Sequence, residues 1–139
     1  MRAPSGAGWD RALTALRRVL PEAANFLPDD IATAAETAGI VLSWEPVPDH
    51  DTRSDSELWH DLRRLAPGGA SSDEVILVAD PCYTSDGPYA LRRNELGGFL
   101  DRFSTENDDS IFGGDVVVVF PDGILVFHHE GIATFVPAR

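Results

Sequence analysis

The residues best suited to chemistry form the triplet His128-His129-Glu130 near the end of the chain. Imidazoles and carboxylates act as general acids and bases and as metal ligands. The triplet closes a segment with the pattern of a β-strand, in which neighbouring residues point to opposite faces. We therefore expect that His128 and His129 cannot easily bind one metal ion and that their roles are structural. A small hydrolase that uses His129 and Glu130 is the last of the alternatives.

Cys82 is the only cysteine of the chain, within the segment Asp80-Pro81-Cys82-Tyr83. A nucleophilic thiol needs a nearby base and a setting that lowers its pKa. Its carboxylate neighbours, Asp80 and Asp86, would raise the pKa instead. We expect a partly buried, unreactive thiol, and one cysteine excludes both an internal disulfide and a cysteine-rich zinc site.

Other ligand-binding motifs are missing from the sequence. No glycine-rich phosphate-binding pattern precedes a predicted helix. The acidic loop with Asp49, Asp51 and Asp55 could bind Ca²⁺, but the segment lacks the glycine and the terminal glutamate of a calcium-binding EF-hand loop. We expect no catalytic residues, no cofactor and no bound metal ion.

Acidity is the strongest feature of the sequence. Among 139 residues there are 11 basic residues and 23 acidic ones, so the net charge is −12. Six acids lie in the window 45–61 and five in the window 101–115. A nucleic-acid partner is excluded, since its phosphates require a basic surface. Either the acids only keep the protein in solution, or they attract a basic protein.

If the acids attract a basic protein, the binding residues are expected in the acidic loops, because loops carry recognition while the scaffold stays rigid. The predicted partner-binding residues are Asp49, Asp51, Asp55, Glu57, Glu106, Asp108 and Asp109.

Length and composition predict one globular domain over 1–139, since 43% of the residues are apolar. No apolar run approaches the ~18 residues of a membrane span, and 1–8 lacks the apolar core of a signal peptide. We expect a cytoplasmic protein without a membrane partner.

The apolar spacing predicts helices from Trp9 to Pro21, from Pro28 to Gly39, from Ser54 or Ser56 to Leu65, and over 89–103. Strands are predicted at 40–44, 74–80, 116–120, 124–129 and 132–136, and an acidic loop at 104–110. Turns at 121–123 and 130–131 make the last three strands an antiparallel meander.

The predicted fold class is therefore α+β, with helices packed on one mostly antiparallel sheet that ends in this three-stranded meander. Alternation along the strand 116–120 places either Val117 and Val119 or Val116 and Val118 toward the helices.

The C-terminal half, over about 75–136, resembles a known group of proteins. The resemblance rests on the strand Val75–Asp80, the loop with Tyr83 and Pro88, the helix ending at Phe103, Gly114-Asp115 before a strand, and the turn His129-Glu130-Gly131. These features resemble small bacterial immunity proteins that neutralise polymorphic or contact-dependent toxins. The resemblance implies an α+β fold, no enzymatic activity and a cognate toxin as partner, often a basic nuclease. It assigns no binding residues, because the toxin-facing surface is the most variable part of such proteins.

The sequence therefore predicts a non-enzymatic immunity protein that binds a basic, nuclease-like toxin domain through its acidic surface. The alternative is an intracellular acidic module for protein interaction or regulation.

Overall fold

The structure is a computed structural model that describes residues 6–66 and 73–138, without the side chains of residues 85 and 86. The helices are α1 (Ala7–Val19), α2 (Pro28–Thr37), α3 (Asp55–Leu62) and α4 (Leu96–Asn107). The strands are β1 (Glu45–Pro46), β2 (Glu74–Val78), β3 (Tyr89–Arg92), β4 (Val116–Phe120), β5 (Gly123–His128) and β6 (Ile132–Pro137). Short 3₁₀ turns cover Arg63–Leu65 and Arg93–Glu95, and a π-helical turn covers Cys82–Asp86.

The strands form one sheet in the order β1-β6-β5-β4-β2-β3, and every neighbouring pair is antiparallel. β4 pairs with β5 from Val116–Phe127 to Phe120–Gly123, and β5 pairs with β6 up to His128–Ile132. The predicted α+β fold class and the antiparallel meander are confirmed, because connections this short join only antiparallel strands.

Helices cover both faces of the sheet. Val117 and Val119 of β4 pack with α1 and α2, whereas Val116 and Val118 pack with α3 and α4. The expectation that only one of these pairs faces the helices is wrong, since both are buried. A run of four valines is typical of a strand that is covered on both faces, and β2 shows the same two-sided burial.

Two predicted elements need correction. Residues 40–44 form no strand, and β1 is a two-residue strand, Glu45–Pro46, beside the start of β6. The predicted helix over 89–103 begins as β3, which pairs with β2, and becomes helical only at Leu96 after a 3₁₀ turn. The side chains of β3 are alternately half-buried and exposed, as is typical of a strand. The sequence analysis missed this strand because the apolar residues that follow it have helical spacing.

The predicted acidic loop 104–110 is helical in its first half, because α4 continues to Asn107. The helix ends at Asp108, whose φ of 49° lies in the left-handed region. Asp is one of the residues that tolerate this conformation, which commonly ends helices.

Candidate functional site

Acidic side chains collect at one end of the sheet. β2 and β5 end there and β4 and β6 begin there, so residues that follow or precede these strands lie together. We call this region the acidic end. Among the described residues, the exposed or half-exposed carboxylates there include Asp29, Asp49, Asp51, Glu57, Asp80, Glu106, Asp108, Asp109, Asp115 and Glu130.

Asp55 holds the two acidic windows of the sequence together. Its carboxylate accepts hydrogen bonds from the backbone N–H groups of Ile111 at 2.7 Å and Phe112 at 3.0 Å. The hydroxyl of Ser104 donates to the same carboxylate at 3.3 Å. These bonds anchor the segment after α4 to the first turn of α3. A second link runs between the Ser56 hydroxyl and the Asp101 carboxylate.

The prediction that Asp55 is an exposed partner-binding residue is wrong. Only 3% of its surface is exposed, and its carboxylate oxygens are engaged by the backbone of a distant loop. Buried carboxylates persist in proteins when hydrogen bonds compensate their lost hydration. Asp55 therefore positions the acidic loops and does not itself offer charge to a partner.

The loop between β1 and α3 is anchored to the turn between β5 and β6. The backbone N–H of Val47 donates to Gly131 O at 2.8 Å, and the His50 ring makes an edge contact with Phe127 at 6.3 Å between centroids. Gly131 has a φ of 89° and no room for a Cβ beside His50. Asp49 and Asp51 flank His50 in the chain and are exposed at this end.

The other predicted partner-binding residues are also exposed. Asp108 and Asp109 belong to the loop anchored by Asp55, and Glu106 lies in the last turn of α4. Glu57 lies in the first turn of α3, where it forms a capping box with Ser54. This pairing confirms Ser54 as the cap, and its hydrogen bonds to the Glu57 carboxylate lower the pKa of that group.

The two histidines lie side by side rather than on opposite faces. Their rings stack with centroids 4.4 Å apart. The prediction that the two side chains point to opposite faces of a strand is wrong. β5 ends at His128, so His129 already belongs to the turn and the alternation of a strand no longer applies.

Each imidazole has a carboxylate neighbour. The Nδ1 atom and the backbone nitrogen of His129 both lie 2.8 Å from Asp115 Oδ1. The hydrogen bond between the ring and the Asp115 carboxylate raises the pKa of His129. His128 Nδ1 accepts from the backbone N–H of Glu130 at 3.1 Å, and its Nε2 lies 3.5 Å from Asp29 Oδ1. Among the described residues, the hydrogen-bond partners of the two rings include neither a hydroxyl nor a thiol nucleophile.

Cys82 packs in the core between the sheet and α1. Its thiol is more deeply buried than the partly buried thiol that was predicted, and the backbone N–H of Ala79 lies 3.4 Å from its sulfur. The next residue, Tyr83, packs against Trp9. Burial, together with the nearby Cys82, Asp80 and Asp115, raises the pKa of Tyr83 to about 12.

The arginine cleft is a second region that the sequence analysis did not identify. It is a cleft of about 880 Å³ between α3 and α4, toward the opposite end of the sheet, and its lining includes Trp59, Arg63, Arg64 and Arg93. Arg93 is 5% exposed, its guanidinium lies 4.2 Å from the Phe120 ring centre, and its Nη2 is 3.4 Å from Asp122 Oδ1. The Arg63-Arg64 doublet at the end of a predicted helix was the available signal, but Arg93 comes from a distant segment.

No protein-family model, curated protein or solved structure matches the chain. In the part of the chain that the structure describes, no helix has the length and apolar character needed to cross a bilayer.

Proposed function

We propose that this protein is a non-enzymatic immunity protein that binds and neutralises a basic, nuclease-like toxin domain through the acidic end. The observation that carries the proposal is that acidic residues from two windows distant in the chain meet at one end of the molecule, whereas Glu45 and Asp61 of the first window lie beside the arginine cleft. Six exposed carboxylates of those windows form the proposed contact: Asp49, Asp51, Glu57, Glu106, Asp108 and Asp109.

Charge complementarity between the acidic end and a nuclease supports the proposal. A nuclease presents cations to the phosphates of its substrate, so an inhibitor with a matching acidic surface can occupy the same cleft. Each exposed ion pair alone contributes only ~0–1 kcal/mol. The joint field of several carboxylates acts mainly on the association rate, and salt screens it.

The anchored loops support the same proposal. Asp55 holds the loop that carries Asp108 and Asp109, and the contacts of Val47 and His50 hold the loop that carries Asp49 and Asp51. Loops that are already ordered before binding lose less conformational entropy in the complex. This arrangement suits a tight inhibitor better than a disordered acidic tail would.

The test uses two double variants that remove charge without changing side-chain size: Asp49→Asn with Asp51→Asn, and Asp108→Asn with Asp109→Asn. Asn also tolerates the left-handed backbone of Asp49 and Asp108, which have φ values of 55° and 49°. The matched control removes two exposed charges outside the acidic end, by Glu36→Gln with Glu74→Gln.

The partner is first captured from a lysate of the source organism at low salt, identified and purified. Its association rate is then measured at two ionic strengths. We expect each acidic-end variant to slow association about tenfold at low salt and to weaken the salt dependence, while the control behaves like the wild type. If the association rates of the variants equal that of the control, the acidic residues only keep the protein in solution and do not bind the partner.

Co-expression separates immunity from the alternative of an interaction or regulatory module. An immunity protein restores growth to cells that express the captured partner, and the two acidic-end variants together reduce that protection. A partner that is not toxic, or toxicity that this protein does not relieve, would favour the module.

A further inference from the structure

The groups that meet beside the turn between β5 and β6 are those that bind transition metals. Asp115, His128 and His129 each offer one ligand atom, and these atoms all lie within 4.8 Å of one another. A second carboxylate, that of Asp29 at the start of α2, lies 3.5 Å from His128 Nε2. We propose that Asp115, His128 and His129, with Asp29 as a fourth ligand, form a binding site for a divalent transition-metal ion such as Zn²⁺ or Ni²⁺.

The distances are close to those of a bound ion. Zn²⁺ lies about 2.0–2.2 Å from imidazole nitrogen and carboxylate oxygen, so two ligand atoms of a tetrahedral site are about 3.3–3.5 Å apart. The 2.8 Å contact between His129 Nδ1 and Asp115 Oδ1 therefore has to widen slightly, and the wider pairs among Asp115, His128 and His129 have to close by up to about 1.3–1.5 Å. Asp29 lies outside that group of three and has to move toward it by side-chain rotation.

Side-chain rotation can supply these movements. The side chains of His129 and Asp29 are 55% and 89% exposed, so packing does not oppose a change of rotamer. His128 and Asp115 are held more firmly, at 12% and 32%. His128 is the last residue of β5 and Asp115 directly precedes β4, so the pairing of these two strands sets the separation of the two firmer groups, and the two exposed groups can close around the ion.

The position of the ring proton on His128 determines which hydrogen bond is broken when a metal ion binds. His128 Nδ1 accepts the N–H of Glu130, so the neutral ring carries its proton on Nε2, toward Asp29. Coordination through Nε2 moves that proton to Nδ1 and breaks the bond from Glu130. The site is therefore assembled by the ion from nearby groups, and its affinity is lower than that of a site whose ligands are already in place.

The ligand types select the class of metal. Two imidazoles favour Zn²⁺, Ni²⁺ and Cu²⁺ over Mg²⁺ and Ca²⁺, which prefer sites made only of oxygen atoms. Asp80 and Glu130 lie at the same end of the sheet and add negative charge around the ion. A dication in this environment is favoured electrostatically.

The experiment titrates Zn²⁺, and separately Mg²⁺, into the full chain after removal of any histidine tag and treatment with a chelator. Isothermal calorimetry gives the stoichiometry and affinity. The variants are His129→Ala and Asp115→Asn, and the matched control is His60→Ala, which removes an exposed histidine from α3.

We expect one Zn²⁺ per chain, binding of Mg²⁺ at least ~100-fold weaker, and a loss of Zn²⁺ affinity of at least ~10-fold in either variant, with His60→Ala unchanged. Circular dichroism checks that the variants are folded, and nuclear magnetic resonance of the wild-type imidazoles should show both rings of the pair shifting on Zn²⁺ addition. An absence of saturable binding up to about 1 mM Zn²⁺, or equal affinity in His129→Ala, would overturn the proposal. Neither result bears on the acidic-end variants, because they are tested without added metal.

Discussion

The acidic end and the arginine cleft are both built from charges that are distant in the chain, but they use those charges differently. At the cleft, Arg93 Nη2 is 3.4 Å from Asp122, Arg64 Nη1 is 3.3 Å from Glu45, and Arg63 Nη2 is 3.1 Å from His60. At the acidic end, no ion pair among the described residues involves the loop carboxylates Asp49, Asp51, Asp108 and Asp109.

The difference shows that the number of like charges in a region does not decide whether it can attract a partner. Charges with internal partners contribute to the fold, and the fields of the two opposite charges largely cancel at distances greater than their separation. Exposed charges of one sign without counter-ions on the protein produce a field that reaches about one Debye length into the solvent. By this criterion the acidic end is the better candidate for recognition.

The largest effect is expected at Asp55, the buried member of the acidic end. Asp55→Ala leaves the N–H groups of Ile111 and Phe112 without their acceptor, and we expect a loss of about 2–5 kcal/mol in the free energy of unfolding. Urea denaturation followed by fluorescence measures it. Asp51→Ala makes the same change of charge at an exposed position and should cost less than about 0.5 kcal/mol. Equal effects would contradict the division into a buried positioning residue and exposed contact residues.

A smaller effect is expected at Arg93 in the arginine cleft. Arg93→Met keeps an unbranched side chain but removes the ion pair with Asp122 and the cation–π contact with Phe120, so we expect a loss of about 1–3 kcal/mol. The matched control is Arg64→Met, whose pair with Glu45 is exposed and should contribute at most about 1 kcal/mol. Equal losses of stability in urea would show that the ion pair and the cation–π contact of Arg93 do not stabilise the fold more than an exposed pair does. That result would contradict the contrast between the two regions.

The smallest effect concerns pH. Because the hydrogen bond with Asp115 raises the pKa of His129 in the folded protein, the protonated ring stabilises the fold. This contribution is fully present below the ordinary pKa of 6.5 and is lost as the pH rises through the raised value. Nuclear magnetic resonance titration of chelator-treated protein should show the pKa of His129 falling in Asp115→Asn.

The free energy of unfolding also tests the interaction between Asp115 and the His129 ring. Asp115→Asn should be destabilising at about pH 5.5 and less so at about pH 8.5. A destabilisation of the same size at both pH values would mean that Asp115 acts only through its bond to the backbone N–H of His129.

Local signals in the sequence were sufficient for several elements. The turn residues at 121–123 and 130–131 predicted the meander, and a capping serine, Ser54 or Ser56, predicted the start of α3, which the structure shows to be capped by Ser54. These signals work because turns and caps involve atoms only a few residues apart. β3 was missed because its strand conformation depends on pairing with β2, which the sequence of 89–92 does not encode alone.

The sequence by itself determined the net charge of −12, the two acidic windows and the apolar character of the strands, since these follow from residue type and order. Only the tertiary structure decided that Asp55 is buried while Asp51 is exposed, that the two windows meet, and that His128 and His129 lie side by side. The physical reason is that burial and proximity depend on contacts between segments far apart in the chain. Where a strand ends can depend on the same contacts, and the end of β5 at His128 placed the two imidazoles together.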